Sequence, residues 1–183
     1  MSPVSTHTII ALVNDKPGVL ARVAGMFSRR GFNISNLAVA RSETPELSRM
    51  TFVVEGNEWV VEQVTKQLYK LIDVVRVNDI SNENIVVREL ALIKVNSTAK
   101  TRQEVMQIVD IFRANIVDVG TEGLVIEATG DEEKIDALLK LLAPFGIKET
   151  MRTGRVAMPR GTPMSALGQS GSEHSAPDAD VVP

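Results

Sequence analysis

The sequence predicts an α+β protein made of two ferredoxin-like domains, each with the element order β-α-β-β-α-β. Apolar residues recur at helical spacing in four segments and alternate with polar residues in the strands between them. The same order occurs on both sides of a polar, turn-forming segment at residues 78–84. We therefore expect one domain at residues 6–80 and a second at 85–158. Residues 161–183 are rich in Gly, Ser, Pro, Ala and Asp and are expected to form a disordered tail.

In the first half, helix-ending and capping residues separate the predicted elements. Gly31 can adopt the left-handed conformation that ends a helix, and Asn57 is a typical cap for the helix that follows it. The predicted order is a strand at 8–13, a helix at 18–30, strands at 33–41 and 48–55, a helix after residue 57, and a strand at 72–77. The residues expected to face inward are Leu20, Val23, Ala24 and Phe27 in the first helix and Val61, Val64, Leu68 and Leu71 in the second.

The second half repeats this order with little residue identity. Its closest local echo is Ala-Asn-Ile at 114–116, which corresponds to Phe-Asn-Ile at 32–34. The predicted elements are a strand at 89–95, a helix at 102–113, strands at 115–119 and 124–128, a helix at 131–142, and a last strand at 147–155 that can extend to residue 158. Because the first strand is apolar on both faces, we expect an open apolar sheet face and at least a dimer.

The composition disfavours several classes of function. The 183-residue chain has a formal net charge of −3, so its overall charge does not favour nucleic acid or an anionic membrane surface. It has no cysteine, which excludes disulfides, thiolate metal sites and a cysteine nucleophile. Its histidines, His7 and His174, lie near the two ends, which disfavours a histidine-based active site or metal site. No signal peptide or membrane-spanning apolar run is visible, so we expect a soluble, cytoplasmic protein.

The segment at residues 14–23 carries the pattern that indicates binding. Pro17 suits the start of a helix, and Gly18 allows another group to approach the backbone closely. The first amides of the helix have no acceptor within it and favour a carboxylate or phosphate. Asp15 favours an ammonium group, so the two features together indicate a free amino acid. The alternative is an ordinary turn in which Asp15 only caps and Gly18 only bends the chain, and such turns are the commoner case.

Residues 15–37, which begin Asp-Lys-Pro-Gly-Val-Leu-Ala-Arg, resemble the opening of an ACT domain. More closely, they resemble the small regulatory subunits of acetolactate synthase, also called acetohydroxyacid synthase. Further stretches agree in the same order, at residues 47–51, 66–74, 88–95 and 112–119. The likeness runs from about residue 6 to residue 160, which is nearly everything but the tail.

The resemblance implies where an effector binds. ACT domains pair side by side, and the amino acid lies between the first loop of one copy and the start of the second strand of the other. Carried over by motif, the effector-binding residues are Asp15, Lys16, Pro17, Gly18, Val19 and Leu20, with Asn33 and Ile34 from the second copy. A pocket lined by Val19, Leu20 and Met26 would favour valine, or leucine or isoleucine. Family members often have Asn where this chain has Asp15, so selectivity can differ.

The resemblance also implies the partner. The chain would be no enzyme on its own, and would bind the large catalytic subunit of acetolactate synthase, enhance its activity and mediate feedback inhibition in branched-chain amino acid biosynthesis. Thiamine diphosphate, Mg²⁺ and FAD are expected in that subunit, and no catalytic, cofactor-binding or metal-binding residue is assigned here. The loop at 96–101 has neither Pro nor Gly, so we expect no effector there, or a weakly bound one. The resemblance implies that the second half contacts the catalytic subunit.

Two other functions remain open to the same fold. An amino-acid-responsive transcription regulator would need a separate DNA-reading element with a basic face, and both halves are already used by the repeated pattern. A small ferredoxin-like hydrolase such as an acylphosphatase would need an arginine in the anion-binding loop. In this chain Lys16 is the only basic residue of that loop, and Arg22 lies a turn into the helix.

Overall fold

The computed structural model describes residues 5–161, and the predicted tail lies outside them except for Gly161. The described chain consists of β1 (Ser5–Asn14), α1 (Val19–Arg30), β2 (Ile34–Arg41), β3 (Leu47–Gly56), α2 (Glu58–Leu68), β4 (Val74–Asp79), β5 (Ile85–Asn96), α3 (Arg102–Ile111), β6 (Asn115–Val119), β7 (Gly123–Gly130), α4 (Glu132–Leu142), β8 (Ile147–Arg152) and β9 (Val156–Pro159). The predicted order of strands and helices is therefore confirmed up to β8.

The first antiparallel sheet has the strand order β2-β3-β1-β4, which leaves β2 and β4 at its edges. Alternate residues of β1 and β3 point towards α1 and α2, as expected for strands with one face on a core. Between the layers, the ring of Phe27 stacks on that of Phe52 with centroids 5.2 Å apart. The buried core of this layer comprises Ile9, Ala11, Val13, Val19, Val23, Met26, Phe27, Met50, Phe52, Val54, Val61, Val64, Leu68 and Val77.

The inward face of α1 differs from the predicted one. Val19 and Met26 are buried, whereas Leu20 is 46% exposed. The helix is therefore rotated by about one residue, and it places Val19 rather than Leu20 next to Val23 and Phe27. Both predicted helix-terminal residues are confirmed: Gly31 has φ 68°, and the side chain of Asn57 accepts a hydrogen bond from the N–H of Val60 (3.1 Å).

The second antiparallel sheet has the strand order β6-β7-β5-β8, the same relative order as the first. Helices α3 and α4 cover one of its faces. The buried core here is purely aliphatic and comprises Ala91, Ile93, Val95, Val105, Val109, Leu124, Ile126, Ala128, Ile135, Leu138 and Leu142. The repeated architecture thus rests on two separate hydrophobic cores, one for each half of the chain.

The predicted last strand at 147–155, with its extension to residue 158, is wrong as a single element, because it divides into β8 and β9. Both pieces pair with β5. Strand β8 pairs with the second half of β5, and β9 pairs with residues 85–88 at the start of β5. Between them, Gly154 has φ 78°, a left-handed conformation that turns the chain out of the strand. The expectation of a fully open face on the first sheet is also wrong in part. On that face Thr8, Thr51 and Val53 are buried, and Arg155 hydrogen-bonds to Thr8.

Candidate functional site

The predicted binding loop joins β1 to α1 and ends in a glycine that the structure requires. Gly18 caps α1 with φ 84°, a left-handed conformation that disfavours residues with a side chain. A Cβ atom at Gly18 would lie 3.1 Å from Nη1 of Arg22, so a side chain there would also crowd the guanidinium. Since glycine offers no side-chain cap, nothing from the cap residue itself occupies the start of the helix.

Several backbone amides at this helix start are free. The N–H of Asp15 donates to the carbonyl of Glu46 (2.7 Å), and that of Val19 to the carbonyl of Lys16 (3.3 Å). Within residues 5–161, the N–H groups of Gly18, Leu20 and Ala21 have no hydrogen-bond acceptor. The first turn of α1 contains no acidic side chain. Free amides at the positive end of a helix dipole attract an anion such as a carboxylate.

Arg22 adds a positive charge that the sequence analysis did not assign to the site. Its guanidinium lies over Gly18, and its Nε donates to Oδ2 of Asp73 (2.8 Å). Asp73 is buried whereas Arg22 is half-exposed, so the carboxylate fixes the guanidinium at the edge of the loop. The spacing of four residues between Gly18 and Arg22 could have revealed this, because such positions share one face of a helix.

The remaining loop residues are open to solvent. Asp15, Lys16 and Pro17 are exposed. Oδ2 of Asp15 lies 3.7 Å from Nε of Arg41, whose side chain is 90% exposed. Exposed ion pairs of this kind contribute little free energy, so Asp15 is available for another cation.

The expected apolar lining of the pocket is only partly present. The side chains of Val19 and Met26 are packed in the first core and do not face an open pocket. Leu20 is exposed beside the loop and is the one apolar side chain of the predicted three that a ligand can reach in the described chain.

Within one chain, the two halves of the predicted site lie at opposite ends of the first sheet. Ile34 pairs with Val54, which in turn pairs with His7 near the start of β1. The loop follows Asn14, at the other end of β1. At about 3.3 Å per residue, the distance from His7 to Asn14 along the strand is roughly 23 Å. A site that uses both the loop and the Asn33–Ile34 segment therefore needs a second copy of the chain.

The described residues offer neither a metal site nor a membrane-spanning helix. Among residues 5–161, no group of three or more His, Cys, Asp or Glu side chains could hold a metal ion. In the same range, none of the helices has both the length and the apolar character needed to cross a membrane.

Comparison with known proteins decides the family. Residues 9–76 match the AHAS small subunit-like ACT domain, and residues 88–161 match the family described as small subunit of acetolactate synthase. A probable acetolactate synthase small subunit of Methanothermobacter thermautotrophicus is 55% identical over 158 residues, which cover 86% of this chain and 94% of the relative. The chain belongs to the family of acetolactate synthase small subunits. The resemblance seen in its motifs is thereby confirmed.

Further members of the family agree with this assignment. The acetolactate synthase small subunit of Mycobacterium bovis is 53% identical over 161 residues, which cover 88% of this chain and 95% of the relative. The crystal structure of the acetolactate synthase small subunit from Thermotoga maritima superposes with a TM-score of 0.82 at 46% identity and covers 87% of this chain and 99% of its own. The predicted α+β class with ACT-like ferredoxin folds is confirmed by this likeness.

Proposed function

We propose that the chain is the regulatory subunit of an acetolactate synthase and that it binds a branched-chain amino acid between the ACT domains of two copies. The observation that carries the proposal is the set of free amides at Gly18, Leu20 and Ala21, next to the guanidinium of Arg22. These groups would bind the carboxylate of the effector. Membership of the small-subunit family favours this function over a transcription regulator or a small hydrolase.

The ammonium group of the effector would be bound by acceptors on both copies. Asp15 is exposed beside the free amides, and its present partner Arg41 is a weakly held surface residue. Asn33 lies directly before β2 and is exposed, so its side-chain oxygen is available to a neighbouring molecule. The exposed side chain of Leu20 is an apolar contact for the branched side chain. Lys16 and Pro17 would close the loop around the ligand.

The position of β2 favours this pairing. Strand β2 is an edge of the first sheet, and an edge strand offers unpaired N–H and C=O groups to another chain. If two copies of β2 pair antiparallel, the Ile34 end of one copy lies next to the Arg41 end of the other. Since Arg41 is already 3.7 Å from Asp15, this arrangement brings Asn33 of the second copy to the loop. The roughly 23 Å that separate the two half-sites within one chain are then bridged by symmetry.

The catalytic chemistry would belong to a large subunit, which forms acetolactate from pyruvate with thiamine diphosphate, Mg²⁺ and FAD. We propose that this chain contacts that subunit through residues 85–158, enhances its activity, and inhibits it when the effector is bound. We also place the complex in the cytoplasm. The domain boundaries proposed here, 6–80 and 85–158, follow the two sheets and the two family matches.

Calorimetric titration of the full chain tests this proposal. We expect valine, leucine or isoleucine to bind at two equivalent sites per dimer, one for each chain, because the two-fold pairing repeats every contact. N-acetylvaline lacks the ammonium charge and valinamide lacks the carboxylate, and we expect neither to bind measurably, because each removes one half of the proposed contacts. Binding of valinamide as tightly as valine would contradict the role of the free amides. A chain that is monomeric in sedimentation at saturating valine would contradict the shared site.

A further inference from the structure

We propose that Asn36, Gly154 and Arg155 form a latch between the two domains, and that this latch transmits effector binding from β2 to the second domain. The part that concerns the effector rests on the proposed function. The latch itself is a direct contact between strand β2 and the turn that separates β8 from β9.

The contact is closer than any other residue at position 154 would allow. The backbone N–H of Arg155 donates to Oδ1 of Asn36 (3.1 Å). Gly154 has φ 78°, and a Cβ atom on it would lie 2.0 Å from Nδ2 of Asn36. A side chain at position 154 would therefore be strained in its backbone and would displace the carboxamide of Asn36. Position 154 thus needs glycine for a contact made 118 residues away in sequence rather than for its local turn alone.

The side chain of Arg155 bonds to both domains. Its Nη1 lies 3.4 Å from Oγ1 of Thr8, which is buried in β1 of the first sheet. Its Nη2 lies 3.2 Å from Oε2 of Glu132, at the start of α4 in the second domain. The latch therefore joins two strands of the first sheet, β2 through Asn36 and β1 through Thr8, to a helix of the second domain.

On the side of the second domain, the latch is anchored by the residues directly before it. Arg152 binds the buried carboxylate of Glu89 with two nitrogens, and its Nη1 lies 2.7 Å from Oδ1 of Asp136. The hydrogen bonds to Glu89 raise the pKa of Arg152, so the guanidinium keeps its charge. The N–H of Thr153 then donates to the carbonyl of Leu90 in β5 (3.0 Å), and the N–H of Leu90 donates to Oγ1 of Thr153 (3.1 Å). Because these residues are fixed, a displacement at Gly154 is passed on to β5 and β8.

On the side of the first domain, the latch lies at a β-bulge. Ile34 pairs with Val54 and Asn36 with Val53, so Ser35 is an extra residue in β2. The hydroxyl of Ser35 donates to the carbonyl of Val53 (3.1 Å) and holds the bulge to β3. A bulge sets the direction of the neighbouring side chains. An effector that contacts Ile34 would therefore contact the residue next to this bulge. The carboxamide of Asn36 lies only two residues further along the strand.

A double-mutant cycle tests whether the latch holds the domains together. We expect Gly154→Ala to lower the temperature of thermal unfolding more than Gly161→Ala, because Gly161 has a similar φ of 69° but nothing within 4 Å. Asn36→Ala removes the atoms that the new methyl group would meet. In the Asn36→Ala background, Gly154→Ala should therefore have a smaller effect than in the wild type. Equal effects in both backgrounds, or in Gly154→Ala and Gly161→Ala, would overturn the latch.

Hydrogen exchange with and without valine tests the transmission. In the wild type we expect valine to increase the protection of the amides at 85–88 and 153–158 as well as those of the first domain. In Asn36→Ala, valine should still protect the first domain, while protection beyond residue 80 is lost. Asn82→Ala is the matched control, because Asn82 is an exposed asparagine with no side-chain hydrogen bond in the described chain. It should behave like the wild type.

The outcomes separate the inference from the proposed function. If valine binds the wild type but protects only the first domain, the transmission is refuted and the proposed function stands. The same holds if Asn36→Ala transmits protection as the wild type does. If no branched-chain amino acid binds, the proposed function and the transmission both fail, and the double-mutant cycle alone decides whether the latch exists.

Discussion

The strand-to-helix loops at the starts of α1 and α3 occupy equivalent places in the repeated fold, but they differ at the residue that caps the helix. In the first loop the N–H groups of Gly18, Leu20 and Ala21 have no acceptor within residues 5–161. In the second, Thr98 and Thr101 exchange hydrogen bonds: the N–H of Thr98 donates to Oγ1 of Thr101 (3.0 Å), and the N–H of Thr101 to Oγ1 of Thr98 (3.3 Å). The N–H groups of Gln103 and Glu104 in the second helix also have no acceptor within residues 5–161, so the two loops differ at the cap: the N–H of Gly18 is open to a ligand, whereas that of Thr101 is closed by Thr98.

The arginine of the first helical turn shows the same difference. Arg22 is fixed by Asp73 at the edge of the first loop, and its guanidinium lies over Gly18. Arg102 instead closes the second loop, because its Nη2 donates to the carbonyls of Gly120 (2.6 Å) and Thr121 (3.1 Å). The first turn of α3 also contains Glu104, which would repel a carboxylate. The topology is shared, so the local chemistry of a few residues decides whether a helix start can bind an anion.

Gly18→Asp should have the largest effect on this difference. The added carboxylate would lie at the free amides and act as their acceptor, while the left-handed φ of 84° disfavours any side chain there. We expect calorimetry to detect no binding of valine. Gly31→Asp is the control, because Gly31 ends the same helix at φ 68° with nothing within 4 Å of a Cβ atom. Undiminished valine binding by Gly18→Asp would show that the loop is not the site.

Arg22→Met should weaken both effector binding and stability. It removes a cation from the loop and leaves the carboxylate of Asp73, which is buried, without its partner. We expect unfolding in urea to show a loss of about 1–3 kcal/mol, since a buried charged acceptor is left unpaired. Arg102→Met is the control: it should lower stability as well, through the lost bonds to Gly120 and Thr121, but leave effector binding unchanged. If the two variants bound valine equally well, Arg22 would have only a structural role.

Asn33→Ala should weaken binding less than either change in the loop. Asn33 would contribute one hydrogen bond to the ammonium group from the second copy, and a hydrogen bond to a charged group is worth about 1.5–3 kcal/mol. This corresponds to a loss of affinity of about 10- to 150-fold. Asn115→Ala changes the exposed asparagine at the equivalent position of the second domain and should have no effect. Equal affinities of the two variants would remove Asn33 from the site.

Much of the fold could be predicted because it depends on local patterns. The alternation in β3 and the caps at Gly31 and Asn57 each depend on residues of their own element. All three predictions are confirmed. The inward face of α1 was misjudged by one residue, since Leu20 and Val19 are both apolar and only packing decides which is buried. The break at Gly154 was missed, and the close contact of Gly154 with Asn36 could not be predicted from local patterns, because Asn36 is far away in sequence.

The candidate site also contains residues that could be predicted from local patterns and residues that could not. The free amides at Gly18 follow from the order of proline, glycine and helix, so the loop was predictable from the sequence. The role of Arg22 depends on Asp73, which lies 51 residues further along the chain and reaches the loop only in the folded sheet. Nor could periodicity show that Asn33 and the loop lie at opposite ends of the sheet, because this depends on strand register.

Thr98→Ala should have the smallest effect and tests the closed loop directly. It removes the hydroxyl that accepts from the N–H of Thr101 and pairs with its hydroxyl at 3.1 Å. The backbone carbonyl of Thr98 still accepts from the N–H of Arg102 (2.9 Å), so the helix start is loosened but not opened. We expect a loss of about 1 kcal/mol, or a fall in Tm of about 2–4 °C for a chain of this size, with valine affinity unchanged. If calorimetry of Thr98→Ala instead detected a second site for valine, these hydroxyls would be what keeps the second domain from binding an amino acid. The lack of glycine and the charge of Glu104 would then not be the cause.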